Sequence, residues 1–67
     1  MNDTVWIARD KDGRLTIFSE KPILKDNEYW VAPYIGVGEM NIIGDYYYYP
    51  QVTFENSPQR LEVTAVI

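Results

Sequence analysis

Apolar and polar positions run in short strand-like blocks from the start of the chain. Thr4–Arg9 (TVWIAR) and Arg14–Ser19 (RLTIFS) are rich in β-branched and aromatic residues, which predicts two strands. Between them lies Asp10-Lys11-Asp12-Gly13. Asp favours the start of a turn, and Gly13 can take the positive φ that closes a type I turn with a bulge, so a β-hairpin is predicted. Side chains alternate across a strand, so Val5, Ile7, Leu15 and Ile17 should share one face. Trp6, Ala8, Thr16 and Phe18 should line the other. Both faces carry apolar groups, which predicts a hairpin covered on both sides.

Beyond the hairpin the pattern is punctuated by proline and glycine. Glu20–Pro22 ends the second strand, because proline cannot donate to a ladder. Leu24–Glu28 reads as a turn, and Tyr29–Ala32 as a third strand stopped by Pro33. Ile35–Glu39 reads as a glycine-rich loop, and Met40–Ile43 is too short to assign. The run Tyr46–Tyr49 before Pro50 fits a strand or one helical turn capped by Asp45. Gln51–Glu55 is predicted as a strand, Asn56–Pro58 as a turn, and Arg60–Ile67 as a last strand with Leu61, Val63, Ala65 and Ile67 in one apolar row. No segment has a sustained helical period. The prediction is one mainly β domain over residues 1–67, an antiparallel sheet or partly open barrel of about five short strands. A single helical turn near 45–49 is allowed.

Composition sharpens this picture. The chain has 67 residues, 46% hydrophobic and 15% aromatic, which argues against disorder. It has no cysteine, so no disulfide staples it. Burial, self-association or a partner must supply its stability. No apolar run is long enough for a membrane span, and the start lacks the pattern of a signal peptide. The expectation is a cytoplasmic protein, complete as it stands. The net charge is −4, with basic residues concentrated before residue 26 and only Arg60 after it. Such an acidic second part disfavours contact with a phosphate backbone.

Candidate chemistry is mainly restricted by what is missing. With neither His nor Cys, the chain has no Ser-His-Asp or Cys-His nucleophilic system and no usual zinc ligand set. Gly36–Gly38 (GVG) lacks the residues of a phosphate-binding loop. Asp10–Gly13 opens like a calcium loop, but the sixth and twelfth positions hold Leu15 and Lys21 instead of Gly and Glu. No catalytic residue, metal or cofactor is therefore expected, and the chain is expected not to be an enzyme.

The aromatic residues carry the remaining signal. Tyr suits half-buried sites and interfaces, having an apolar body and a polar tip. The tyrosine run therefore reads as core, as a contact surface, or as both. Tyr47 and Tyr49 are expected to pack inward. Tyr46 and Tyr48, with Tyr34 and Glu55, are the candidate protein-contact residues. Asp45 and Glu55 flank the run and would repel a nucleic-acid backbone. Trp6 and Trp30 are expected to anchor strands in the core.

Two segments, Trp6–Pro22 (WIARDKDGRLTIFSEKP) and Tyr49–Val63 (YPQVTFENSPQRLEV), resemble the opening and closing segments of short uncharacterised proteins encoded by phages, prophages and mobile elements of gut Bacteroidales. The resemblance implies a phage or mobile-element origin and a bacterial host cytosol. It implies no activity and no catalytic residue. The expected function is a small non-catalytic protein-interaction module, binding a second copy of itself or a host factor that it inhibits. An SH3-like peptide-binding barrel and an acidic DNA mimic are the alternatives.

Overall fold

The computed structural model describes residues 2–42 and 49–64, and the side chains of 4–42 and 49–62. Strands β1 (Asn2–Arg9) and β2 (Leu15–Phe18) form the predicted hairpin, with Ile7 opposite Ile17 and Arg9 opposite Leu15. Its turn has the expected chemistry. The Gly13 N–H donates to the Asp10 carbonyl at 2.9 Å, Asp10 N–H donates to the Arg14 carbonyl at 2.8 Å, and Gly13 sits at φ 100.

Two further strands extend this hairpin. Strand β5 (Glu39–Ile42) pairs antiparallel with β2, and strand β6 (Gln59–Thr64) pairs antiparallel with β1. The result is a four-stranded sheet in the order β5-β2-β1-β6. Strands β3 (Ile23–Lys25) and β4 (Tyr29–Val31) form a second, two-stranded sheet. The domain is mainly β and antiparallel, and the described strands form an open sheet and a hairpin, with no closed barrel and no helix among the described residues.

Three assignments differ from the sequence reading. Leu24 and Lys25, expected within a turn over Leu24–Glu28, belong to strand β3, because Asp26 and Asn27 both adopt left-handed backbone (φ 53 and 55) and reverse the chain tightly. Glu28 N–H closes this turn on the Lys25 carbonyl at 3.0 Å. Gln51–Glu55, expected to be a strand, is irregular. Its polar groups are satisfied locally: Thr53 N–H donates to Asn56 Oδ1 at 2.7 Å, and Asn56 Nδ2 donates to the Gln51 carbonyl at 2.9 Å. Side chains that bond their own backbone compete with a ladder, and here they win. Met40–Ile42, too short to assign from sequence, contributes most of β5. The helical turn envisaged near 45–49 lies outside the described residues apart from Tyr49.

Both faces of the hairpin are covered, as its patterning required. On one face Ile7, Leu15 and Val52 form a buried cluster, with Ile17, Ile42 and Leu61 packed against it. On the other, Ala8 and Phe18 are buried, and β4 lies against β1. The second hairpin is pinned at its turn end, where Lys11 N–H donates to the Glu28 carbonyl at 2.9 Å and Trp30 N–H to Asp10 Oδ1 at 2.8 Å.

Candidate interaction surfaces

The loop between β4 and β5 presents apolar side chains to solvent. Tyr34 is 60% exposed and Ile35 is 102% exposed, a full side chain with no protein cover. Gly36 follows at φ 101 with nothing within 4 Å of where a Cβ would stand, so the turn leaves the tip standing clear. The loop is anchored at its far end. Ser19 N–H donates to the Gly38 carbonyl at 2.9 Å, and Gly38 N–H donates back to Ser19 Oγ at 2.8 Å.

Of the four candidate contact residues, Tyr34 is therefore exposed on this loop. Glu55 is exposed on the separate 53–56 turn. Tyr46 and Tyr48 lie outside the described residues, as does Tyr47. Tyr49, expected to pack inward, is 37% exposed. Its backbone explains this: φ is 52, and its carbonyl is engaged by Val52 N–H at 2.9 Å and by Arg9 Nη2 at 3.1 Å. Tyr49 is held at least in part by its main chain.

The two tryptophans are only partly buried. Lys21 Nζ lies 5.5 Å from the Trp6 ring centroid, a cation–π contact. Trp30 meets Phe54 with ring centroids 6.5 Å apart at 53°. The Trp30 Nε1–H is buried and has no acceptor among the described residues.

Arg9 was not legible as a special residue from composition, yet it is fully buried. Its Nε donates to the Val52 carbonyl at 2.6 Å and its Nη1 to the Gly13 carbonyl at 2.7 Å. Its own N–H donates to Ser57 Oγ at 2.9 Å. The signal was the strand period: Val5, Ile7 and Arg9 share a face, so Arg9 had to point at the core side. Beside it in sequence, Asp10 is nearly buried, and burial pushes its carboxyl above the usual range. The like charge of Asp12 adds to that rise, while the Trp30 N–H and Arg14 oppose it.

Two shallow cavities lie among the described residues. One, of about 180 Å³, is lined by Lys11, Asp12, Glu28 and Tyr29. The other, of about 250 Å³, is an apolar groove lined by Val5, Ile17, Ser19, Gly38, Glu39 and Met40. Among the described residues no three acidic, His or Cys side chains gather as a metal site, and no helix is long and apolar enough to cross a membrane.

The fold and its surfaces thus define a small antiparallel β domain with exposed apolar side chains. No family model, curated protein or solved structure matches the chain.

Proposed function

We propose that the chain is a small non-catalytic protein-binding module of phage or mobile-element origin that engages a host protein through the loop tip at Tyr34 and Ile35. The observation that carries this reading is the full exposure of Ile35 beside a largely exposed Tyr34. A rigid aromatic next to an aliphatic group on a protruding turn is the kind of anchor that fills a partner's pocket. The absence of His and Cys supports a role in binding rather than catalysis. The likeness of Trp6–Pro22 and Tyr49–Val63 to mobile-element proteins supports a host cytosolic partner. The SH3-like reading loses support, because the described strands do not close into a barrel.

The test is affinity capture from a Bacteroidales lysate with the wild-type chain and with Tyr34→Ser/Ile35→Ser. Both residues are exposed, so the double variant should unfold like wild type. A discrete host protein should be retained by the wild type and lost with the variant. Retention unchanged by the double substitution, or no retained protein, would sink the assignment.

A further inference from the structure

Among the described strands β5 lies at one edge of the sheet, and its protection is slight: one charged residue, Glu39, with neither lysine nor proline. Natural edges are blunted by lysine, proline, charge or a bulge. The opposite edge, β6, follows Pro58 and carries Arg60 and Glu62. Strand β5 reads Glu-Met-Asn-Ile, with regular pairing to β2 and with Met40 64% exposed.

The ladder fixes which backbone groups are open. Ser19 N–H donates to the Gly38 carbonyl, so Gly38 points its main-chain groups at β2. In an antiparallel ladder these groups alternate sides, so Met40 and Ile42 also bond β2. The N–H and C=O of Glu39 and Asn41 therefore face away from β2, on the side where no described strand pairs.

We propose that two copies of the chain pair through their β5 edges, antiparallel, about a two-fold axis at Met40. In that register Glu39 lies opposite the partner's Asn41, and Asn41 opposite the partner's Glu39. Each pair exchanges two backbone hydrogen bonds, which satisfies all the open groups of both residues. The side chains match as well. Asn41 Oδ1 accepts from Thr16 Oγ1 at 2.8 Å, which turns the amide so that its Nδ2 is available as a donor. A carboxylate opposite it, from the partner's Glu39, is the complementary acceptor. No like charges stand directly opposite one another. On the other face, Met40 meets the partner's Met40, and the two apolar grooves beside Val5 and Ile17 join across the axis. A pairing of short strands covers less than the roughly 1,600 Å² of a standard interface, so the dimer is weak and concentration-dependent.

This proposal rests on the reading of the chain as a protein-binding module and names one partner, a second copy. Sedimentation equilibrium from dilute to concentrated solution should show a monomer–dimer equilibrium. Asn41→Asp keeps the Thr16 acceptor but places carboxylates opposite one another at two symmetric positions. It should weaken the dimer about tenfold. Adding Glu39→Lys to Asn41→Asp sets opposite charges across the same pairs and should restore association. Met40→Lys, an exposed position, should abolish it. A monomer at every concentration, a dimer indifferent to Asn41→Asp and Met40→Lys, or no rescue by the charge pair would overturn the proposal. Thermal unfolding confirms that each variant is folded; if Asn41→Asp is not, Met40→Lys alone decides. A monomeric chain that still captures a host protein through Tyr34 and Ile35 sinks this pairing and leaves that reading intact; a dimer that captures nothing does the reverse.

Discussion

A guanidinium taken fully out of water is tolerable only where its N–H groups find acceptors, and Arg9 meets that condition with main-chain carbonyls of three residues. Arg9→Met would leave buried carbonyls of Val52 and Gly13 without donors. It is expected to cost about 3 kcal/mol or more, read from urea unfolding. Arg9→Lys should be nearly as costly, because a point-like ammonium cannot span acceptors that a planar fork reaches together. Its neighbour Asp10 makes the opposite kind of prediction. Its folded carboxyl titrates above the unfolded reference of 3.8, mainly through burial. The folded state thus holds the proton more tightly. Stability from this group is fully present below pH 3.8 and is lost as pH rises through the raised folded value. Asp10→Asn retains an acceptor for the Trp30 N–H and never ionises. It should flatten stability against pH across that window and unfold no more easily than wild type at neutral pH. A variant clearly less stable at neutral pH would show that the ionised carboxylate is needed.

At the scale of elements, the β3–β4 hairpin turns on two consecutive non-glycine residues in left-handed backbone, Asp26 and Asn27. Asn tolerates that region better than most residues but still less well than glycine. Asn27→Gly should therefore stabilise the hairpin by a few tenths to about 1 kcal/mol, measured as a shift in denaturation midpoint. Asn27→Val should destabilise it, since a β-branched residue is strained at positive φ. The same turn shows what the sequence could disclose. Asp10–Gly13 announced its hairpin because glycine stands where φ must be positive. Leu24–Glu28 also reads as a turn, but without a glycine at Asp26 or Asn27 nothing marks that two residues close it, so Leu24 and Lys25 are not legible as strand. Gln51–Glu55 misled in the other direction. Its Val, Thr and Phe carry strand propensity, but Asn56 reaches back to the main chain at Gln51 and Thr53 and holds the segment as turns. Propensity is local, whereas the satisfaction of these groups depends on a residue beyond the window. Of the candidate contacts, Tyr34 is legible only as a tyrosine suited to an interface and its exposure is not, while the edge position of β5 among the described strands depends on strand order, which no local pattern encodes.

For the molecule as a whole, the irregular segment from Tyr49 to Pro58 acts as the joint between the sheet and the second hairpin. Val52 is 2% exposed and closes the cluster with Ile7 and Leu15. The carbonyls of Tyr49 and Val52 engage Arg9, Ser57 Oγ accepts from the Arg9 main chain, and Phe54 packs on Trp30 of β4. A small domain with few fully buried apolar side chains has little reserve, so loss at this joint should not stay local. Val52→Ala is expected to cost about 2 kcal/mol, from lost burial and the cavity left behind. Thr53→Ala, which removes the exposed bond to the Asn56 N–H, should cost less than about 1 kcal/mol. The two differ further in reach. Val52→Ala should lower amide-exchange protection in β1, β2 and β4 together, because the joint couples them. Thr53→Ala should alter exchange only within residues 49–58. If Val52→Ala left the β4 amides as protected as in wild type, the second hairpin would be held by Asp10 and Lys11 alone, and the joint would belong to the sheet.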